Sequence, residues 1–131
     1  MKKLIYLFLA LIIVACSSDD GSEQQTFLEK YDGIVWETSP ESDVEYIQRF
    51  MFSNNPKSII SYFEEQTGEA SCDTILLDIY EIFDNSNNIF SYGYDGVIIT
   101  TVTVSSDGNL LTYNSYDDGI CNKTNLTEPC Y

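Results

Sequence analysis

Carboxylates are the side chains with most capacity for chemistry in this 131-residue chain, which contains 21 Asp and Glu residues and no histidine. Without histidine the chain lacks the commonest general base and the Ser–His and Cys–His pairs of nucleophilic catalysis. Glycoside hydrolysis by carboxylates alone needs two of them facing each other across a cleft. Adjacent Glu64 and Glu65 lie on a predicted strand and point to opposite faces, and the other close pairs are Asp117–Asp118 and Asp43 with Glu45. We therefore expect a protein that is not an enzyme.

Oxygen-bearing side chains also recur at alternate positions from Asp84 to Asn88, a spacing that could suit calcium. An EF-hand loop additionally needs a bidentate Glu, which this segment lacks. Asp and Asn are common in turns because their side chains hydrogen-bond to the local backbone. We predict a turn here, and we expect neither a metal site nor a cofactor.

Aromatic side chains could line a binding pocket, since the chain has 10 Tyr, 7 Phe and 1 Trp. Aromatics on strands pack against cross-strand neighbours, and they also line apolar pockets and contact surfaces. The candidate ligand or contact residues are Trp36, Tyr46, Tyr62, Tyr92, Tyr94 and Tyr113. Their use depends on how the strands position them.

Seven strands are predicted, because runs of alternating or β-branched residues end at turn residues. They are Gly33 to Thr38, Val44 to Ser53, Ser58 to Gln66, Thr74 to Phe83, Ile89 to Tyr94, Val97 to Ser105 and Leu110 to Tyr116. Short loops join the last four into a meander, and the fourth strand is apolar on both faces, which is typical of a central strand. Since sheet edges must be covered or closed, we expect an all-β fold, an antiparallel meander closing into a small barrel or a two-layer sandwich, and favour the barrel.

A short N-terminal helix is predicted before the first strand. Ser22 and Gln25 have the types and spacing of a capping box. The apolar residues at helical spacing after it are Phe27, Leu28 and Tyr31. Gly33 then ends the helix. We expect its apolar side to lie on the open end or one face of the sheet.

The N-terminus has the pattern of a signal peptide. Lys2 and Lys3 precede an unbroken apolar run from Leu4 to Val14, which at helical rise spans only about 16 Å, too short to cross a hydrocarbon core. The sequence Ile13-Val14-Ala15-Cys16 resembles the lipobox of bacterial lipoproteins. The resemblance implies cleavage before Cys16 and acylation of that residue, for example with palmitate. The expected organisation is a signal peptide at 1–15, an acylated cysteine and flexible acidic tether at 16–24, and a single β-rich domain at 25–131.

The residues after Cys16 bear on location. Ser17 stands where an Asp would retain a lipoprotein in the inner membrane of many Gram-negative bacteria. Ser17 to Gly21 also resembles the acidic export signal of Bacteroidota-type lipoproteins. These resemblances imply attachment to the outer membrane through the lipid on Cys16. The domain then faces either the cell surface, which we favour, or inward to the periplasm.

Three cysteines remain for disulfide chemistry, Cys72, Cys121 and Cys130, in an oxidising compartment. The odd number predicts one bridge and one free thiol, with three possible pairings. We favour Cys72–Cys121, because the meander brings the start of the fourth strand and the end of the seventh to the same end of the sheet. Cys121–Cys130 would instead close a short loop and tie down the tail. A catalytic cysteine is not expected without a histidine base.

Charge limits the choice of partner. Removal of residues 1–15 leaves four basic residues against 21 acidic ones, a formal net charge of −17. No basic patch can form, which excludes a general nucleic-acid-binding protein. Such a charge keeps a protein soluble by self-repulsion, and its field also attracts cationic proteins or peptides.

The helix ending at Tyr31-Asp32-Gly33, the segment Gly33-Ile34-Val35-Trp36 and the meander resemble the small lipocalin-like lipoproteins. In that family a glycine and a tryptophan, separated there by one residue and here by two, close one end of a barrel. The resemblance implies a small apolar ligand inside the barrel. We expect a lipid-anchored, non-catalytic binding or interaction module. The alternatives are a carrier of a small apolar ligand and an inhibitor of a basic envelope-attacking enzyme such as lysozyme.

Overall fold

The computed structural model describes residues 24–38, 46–115 and 118–130. The signal peptide, Cys16 with most of the tether, the predicted N-cap Ser22, Asp43 with Glu45, and Asp117 lie outside the described residues. Within those ranges the chain forms helix α1 (Phe27–Lys30) and strands β1 (Val35–Thr38), β2 (Tyr46–Asn54), β3 (Lys57–Glu65), β4 (Ala70–Leu76), β5 (Glu81–Ser86), β6 (Ile89–Tyr94), β7 (Val97–Val104), β8 (Leu110–Asn114) and β9 (Gly119–Lys123).

The described strands form one sheet in the order β4-β3-β2-β1-β9-β8-β7-β6-β5. All strand pairings are antiparallel, and sequence neighbours pair everywhere except between β4 and β5, which are the two edges. The first and last strands, β1 and β9, also pair. The sheet curls into a half-barrel, so the predicted all-β class with one short helix is confirmed, and the architecture is a single curled sheet, not a two-layer sandwich.

The predicted strand from Thr74 to Phe83 is wrong in extent and position. It is divided into the end of β4, a 3₁₀ turn at Leu77–Ile79 and the start of β5, and these strands are the sheet edges, not its centre. Leu77 is buried, whereas Leu76 is 48% exposed. The two adjacent leucines therefore mark the point where the chain turns inward, and not a strand buried on both faces.

Strand β9 lies in a segment for which no strand was predicted. It pairs with β8 on one side and with β1 on the other, where Trp36 lies opposite Lys123 and Thr38 opposite Cys121. The chain therefore forms two meanders, β1–β4 and β5–β9, joined through their first and last strands. The β5–β8 part agrees with the predicted four-strand meander, apart from where its first strand begins.

Helix α1 is capped by Thr26, so the predicted capping box of Ser22 and Gln25 is wrong by four residues. The Glu29 N–H donates to the Thr26 hydroxyl (3.4 Å), and the Thr26 N–H donates to Glu29 Oε2 (2.8 Å). Hydrogen bonds from the Thr26 backbone and side chain hold the pKa of Glu29 below its ordinary value. Gly33, at φ 70°, ends the turn after the helix and donates its N–H to the Phe52 carbonyl (2.9 Å).

The apolar side of α1 lies on the sheet, as expected. Phe27 and Leu28 are fully buried. The Phe27 ring is 5.1 Å from that of Phe52 on β2 and 5.6 Å from that of Phe90 on β6. Because β2 and β6 are distant in the sheet order, one short helix bridges the two sides of the half-barrel.

The disulfide joins Cys72 to Cys130, with a Cα–Cα distance of 5.9 Å, so the favoured Cys72–Cys121 pairing and the alternative Cys121–Cys130 pairing are both wrong. Cys121 is a free, buried thiol on β9, opposite Leu111 of β8. Leu111 lines the inside of the half-barrel, and side chains directly opposite each other share a face. Cys72 lies on the outer face, opposite Tyr62. Strand β9, which was not predicted, thus places the Cys121 side chain on the inner face, away from Cys72 and Cys130.

The C-terminal tail crosses the outer face of the sheet. It starts with the Thr124 N–H donating to the Val35 carbonyl (2.9 Å) on β1 and ends at the disulfide on β4. Val35 and Tyr62 are buried although both lie on the outer face, and Pro129 of the tail is itself fully buried. The tail therefore acts as a covalently fastened cover over part of that face.

Candidate ligand cavity inside the half-barrel

A cavity of about 210 Å³ lies inside the half-barrel. Its apolar wall consists of Phe50, Phe52, Ile59, Ile75, Val102 and Leu111. Its polar groups come from Gln48, Ser61, Thr100 and Ser115, and two phenol rings complete it, those of Tyr92 and Tyr113. A mainly apolar lining with a few polar groups is the usual composition of small-molecule sites.

Strand alternation separates the apolar and polar groups by depth. On β2, Phe52 contacts Phe27 of the helix. Gln48 is four residues from Phe52 on the same face of the strand, and therefore lies farther from the helix. On β7, Val102 and Thr100 follow in the same order, apolar and then polar. The cavity is therefore apolar beside the helix and polar at the other end.

Tyr113 is fixed from three sides. Its hydroxyl donates to Gln48 Oε1 (3.1 Å), and its ring is 5.4 Å from Phe50 in an edge-on arrangement. Its ring also lies directly over Gly119 on β9, where a Cβ atom would overlap the phenol. A side chain held in this way presents a defined surface to the cavity.

Tyr92, on β6, forms another part of the wall, two strands from Tyr113 in the sheet order. Its ring packs against Phe90 at 5.7 Å and against Tyr80 at 5.3 Å. Burial raises the pKa of Tyr92, and a hydrogen bond with Thr100 acts in the opposite direction. The phenol is therefore neutral at physiological pH and can donate or accept a hydrogen bond.

Two asparagines hold the helix that closes the apolar end. The Leu28 N–H donates to Asn85 Oδ1 (3.1 Å), and the Tyr31 hydroxyl and Lys30 Nζ donate to Asn88 Oδ1 (2.8 Å each). Both asparagines belong to the segment considered above for calcium. Within the described ranges, no three acidic, cysteine or histidine side chains cluster in a way that could hold a metal ion.

The six predicted aromatic residues are not all in one place. Tyr92 and Tyr113 line the cavity. Trp36 is fully buried in the core, 5.9 Å from Tyr31, and its indole N–H has no hydrogen-bond partner among the described residues. Tyr46 packs on Phe63 at 4.7 Å. The cavity therefore uses a third of the predicted set.

The remaining two aromatic candidates lie outside the cavity. Tyr62 is on the outer face, where its hydroxyl donates to Glu64 Oε2 (2.7 Å) and the Arg49 guanidinium lies 5.1 Å above its ring. The hydrogen bond to Glu64 raises the pKa of Tyr62. Tyr94 is 58% exposed at the β6–β7 hairpin.

Sequence reasoning did not single out the polar residues of the cavity, such as Gln48, Thr100 and Ser115. Each lies two or four residues from an apolar residue of its own predicted strand, and therefore on the same face of that strand. This alternation can be recognised in the sequence. The sequence does not show, however, which face of a strand points into the half-barrel when both faces carry aromatic residues.

No protein-family model, curated protein or solved structure matches the chain. Within the described residues, none of the helices has the length and apolarity needed to cross a membrane.

Proposed function

We propose that this domain binds a small, mainly apolar molecule with one hydrogen-bonding group inside the half-barrel. The proposal rests on one observation, the cavity that is apolar beside the helix and polar at its other end. The body of the ligand would lie against Phe52 and Val102. Its polar group would bond with Gln48 or Thr100.

The size of the cavity limits the ligand. Benzene occupies an engineered apolar cavity of about 150 Å³, and pockets for drug-sized molecules exceed about 300 Å³. A cavity of about 210 Å³ therefore suits a single ring with a short substituent.

The charge of the ligand follows from the lining. No Asp, Glu, Lys or Arg lines the cavity in the described residues, and an unpaired charge is costly to bury. Hydroxyls and an amide can both donate and accept hydrogen bonds. A neutral ligand such as a phenol, an alcohol or an amide meets these conditions.

The N-terminal sequence supports a location for this activity. Lys2, Lys3, the apolar run and Cys16 support a lipoprotein acylated on Cys16, and Ser17 to Gly21 supports its display on the outer membrane facing the cell surface. A non-catalytic binding module held there through the lipid on Cys16 would capture small molecules close to the membrane. Replacing Cys16 with Ala would test the anchor, because it should move the protein out of the membrane fraction.

The cavity proposal is tested by native mass spectrometry of the protein released gently from its own envelope. We expect a reproducible adduct with the mass of a small molecule, which is lost on denaturation. A bare protein mass at every solution condition would contradict the proposal.

Two variants on one strand provide the matched control. Thr100→Phe fills the polar end of the cavity, whereas Thr101→Phe places the same ring on the outer face, since neighbouring side chains alternate. We expect the adduct to disappear in Thr100→Phe and to persist in Thr101→Phe. Persistence in both variants would place the molecule elsewhere.

A further inference from the structure

Strand β4 is an open and regular sheet edge. It pairs with β3 over seven consecutive positions, from Ala70 opposite Glu64 to Leu76 opposite Ser58, without a bulge. It has no strand partner on its other side in the described residues, and every residue of β4 except Ile75 is exposed. An edge of this kind leaves alternate N–H and C=O groups free to pair with another strand.

The chain cannot close this edge with its own β5. The strand pairings make β4 and β5 run in the same direction, and residues 77–80 are all that connect them. Two parallel strands can lie side by side only with a crossover of about a dozen residues or more. The β4 edge is therefore left for another chain.

The other edge, β5, is obstructed. A bulge between Ile82 and Asp84 interrupts its pairing with β6, and bulges make an edge less able to add a strand. The Glu81 carboxylate accepts from the Gly96 N–H, and the Asn85 side chain is bound to the helix. Of the two edges, β4 is the one suited to an added strand.

The surroundings of β4 are acidic. Against two basic residues nearby, Lys57 before Ser58 (opposite Leu76) and Arg49 over the Tyr62 ring (opposite Cys72), five carboxylates occur in and next to this strand. They are Glu64, Glu65, Glu69, Asp73 and Asp78. Two exposed apolar side chains, Leu76 and Ile79, follow at the end of the strand. The edge therefore combines free hydrogen-bonding groups with negative charge and some apolar surface.

We propose that β4 binds an extended basic segment of another protein, which adds a strand to the sheet. Lysine or arginine side chains of that segment would lie near Asp73 and Asp78, and its apolar side chains near Leu76. A second copy of this chain would bring Asp73 against like charges. The chain's own tether, residues 16–24, carries acidic and no basic residues. Charge therefore selects a basic partner, and this inference does not depend on the cavity.

The test uses the full-length protein in detergent and a fluorescent ten-residue peptide of alternating Lys and Val. We expect binding that weakens with salt, because exposed charges are screened. The same peptide with alternate amides N-methylated keeps its charge but cannot pair as a strand, and it should not bind. Hydrogen exchange should slow in residues 70–76 and stay unchanged in residues 81–86.

Charge-removing variants complete the test. Asp73→Asn with Asp78→Asn should raise the Kd by about fivefold, the effect expected for two exposed ion pairs. Asp95→Asn with Asp118→Asn removes the same charge elsewhere and should leave the Kd unchanged, as should the cavity-filling Thr100→Phe. Equal binding of the N-methylated peptide, exchange protection outside β4, or dimerisation of the protein through this edge would overturn the proposal.

Discussion

The position of the Tyr113 ring in the cavity wall depends on Gly119, which has no side chain. The ring lies over Gly119, and the Tyr113 hydroxyl donates to Gln48 Oε1. Gly119→Ala should push the ring away and break that hydrogen bond. Overpacking of this kind costs about 1–3 kcal/mol, which urea denaturation would measure.

The control for Gly119→Ala is the same change in a Tyr113→Ala background. Without the ring there is nothing for the new methyl group to meet, so the substitution should cost much less there. Equal costs in both backgrounds would show that the glycine is needed for the backbone of β9 and not for the ring.

Cys121 should make the stability of the protein depend on pH in alkaline solution. Burial, with a smaller effect of the Glu37 charge, raises the pKa of the Cys121 thiol from its ordinary value of 9.0 to about 12. The folded state thus holds the proton more tightly than the unfolded state does. The stability from this group is complete below pH 9 and is lost between pH 9 and about 12, at about 1.4 kcal/mol per pH unit.

Comparison with Cys121→Ala isolates this contribution from that of the tyrosines. The free energy of unfolding of the unmodified protein should fall faster above pH 9 than that of the variant. Parallel curves for the two proteins would mean that the thiol is as accessible to water in the folded state as in the unfolded state.

Side-chain type alone could identify residues suited to a pocket but not their grouping. Tyr92 and Tyr113 were predicted and do line the cavity, whereas Trp36 is buried in the core and Tyr94 is exposed. All four are aromatic residues on strands. What separates them is the face and the depth that each strand gives them, which depends on long-range pairing.

At the scale of elements, helix α1 depends on the β5–β6 hairpin, through Asn85 of strand β5 and Asn88 of the turn. It has only four residues and could not form alone. Asn85→Ala with Asn88→Ala removes the acceptors of the Leu28 N–H, the Tyr31 hydroxyl and Lys30 Nζ. We expect a loss of about 2–3 kcal/mol of stability, on the scale of about 1 kcal/mol per hydrogen bond.

Hydrogen exchange locates that effect. Amides of residues 27–34 should exchange faster in the double variant, while those of β3 keep most of their protection. Asn87→Ala, next to Asn88 in the turn, is the matched control because Asn87 makes no hydrogen bond to the helix among the described residues. If Asn87→Ala loosened the helix as much, the turn itself and not the two acceptors would hold α1.

Local patterns predicted the hairpins of the meander but not the break between β4 and β5. β-Branched and aromatic runs between turn residues gave β2, β3, β6 and β7 almost to their ends. The stretch from Thr74 to Phe83 satisfies the same pattern, yet the burial of Leu77 bends it into a 3₁₀ turn. The reason lies in what Leu77 packs against, and local periodicity does not contain that information.

At the scale of the whole molecule, the pairing that joins the two meanders was beyond prediction because it connects the first and last strands, β1 and β9. Strand β9 has five residues, of which Ile120 and Cys121 are the apolar ones, and its pairing with β1 brings Trp36 beside Lys123. The missed strand also explains the wrong disulfide, since it moved Cys121 into the interior. One long-range pairing thus decided both the topology and the cysteine chemistry.

The charge of the molecule opposes its folding. Arg49 and Glu37 form an ion pair at 2.6 Å, but an exposed or half-exposed pair contributes at most about 1 kcal/mol. The chain carries 21 acidic residues against six basic ones, and self-repulsion destabilises a compact state with such a charge. Repulsion among many carboxylates should outweigh one attractive pair.

Salt should therefore stabilise this protein. The Debye length falls from about 30 Å at 0.01 M to about 10 Å at 0.1 M ionic strength, which screens distant repulsions before close attractions. A gain of about 1 kcal/mol raises the midpoint of thermal unfolding by about 4–8 °C in a domain of this size, a shift that calorimetry between 0.01 and 0.2 M NaCl would resolve. Glu69→Lys lowers the net negative charge and should reduce the shift. If the midpoint of thermal unfolding fell with salt, attraction in local pairs such as Arg49–Glu37 would outweigh the repulsion due to the net charge. The attraction of basic partners would then have to come from the β4 edge alone.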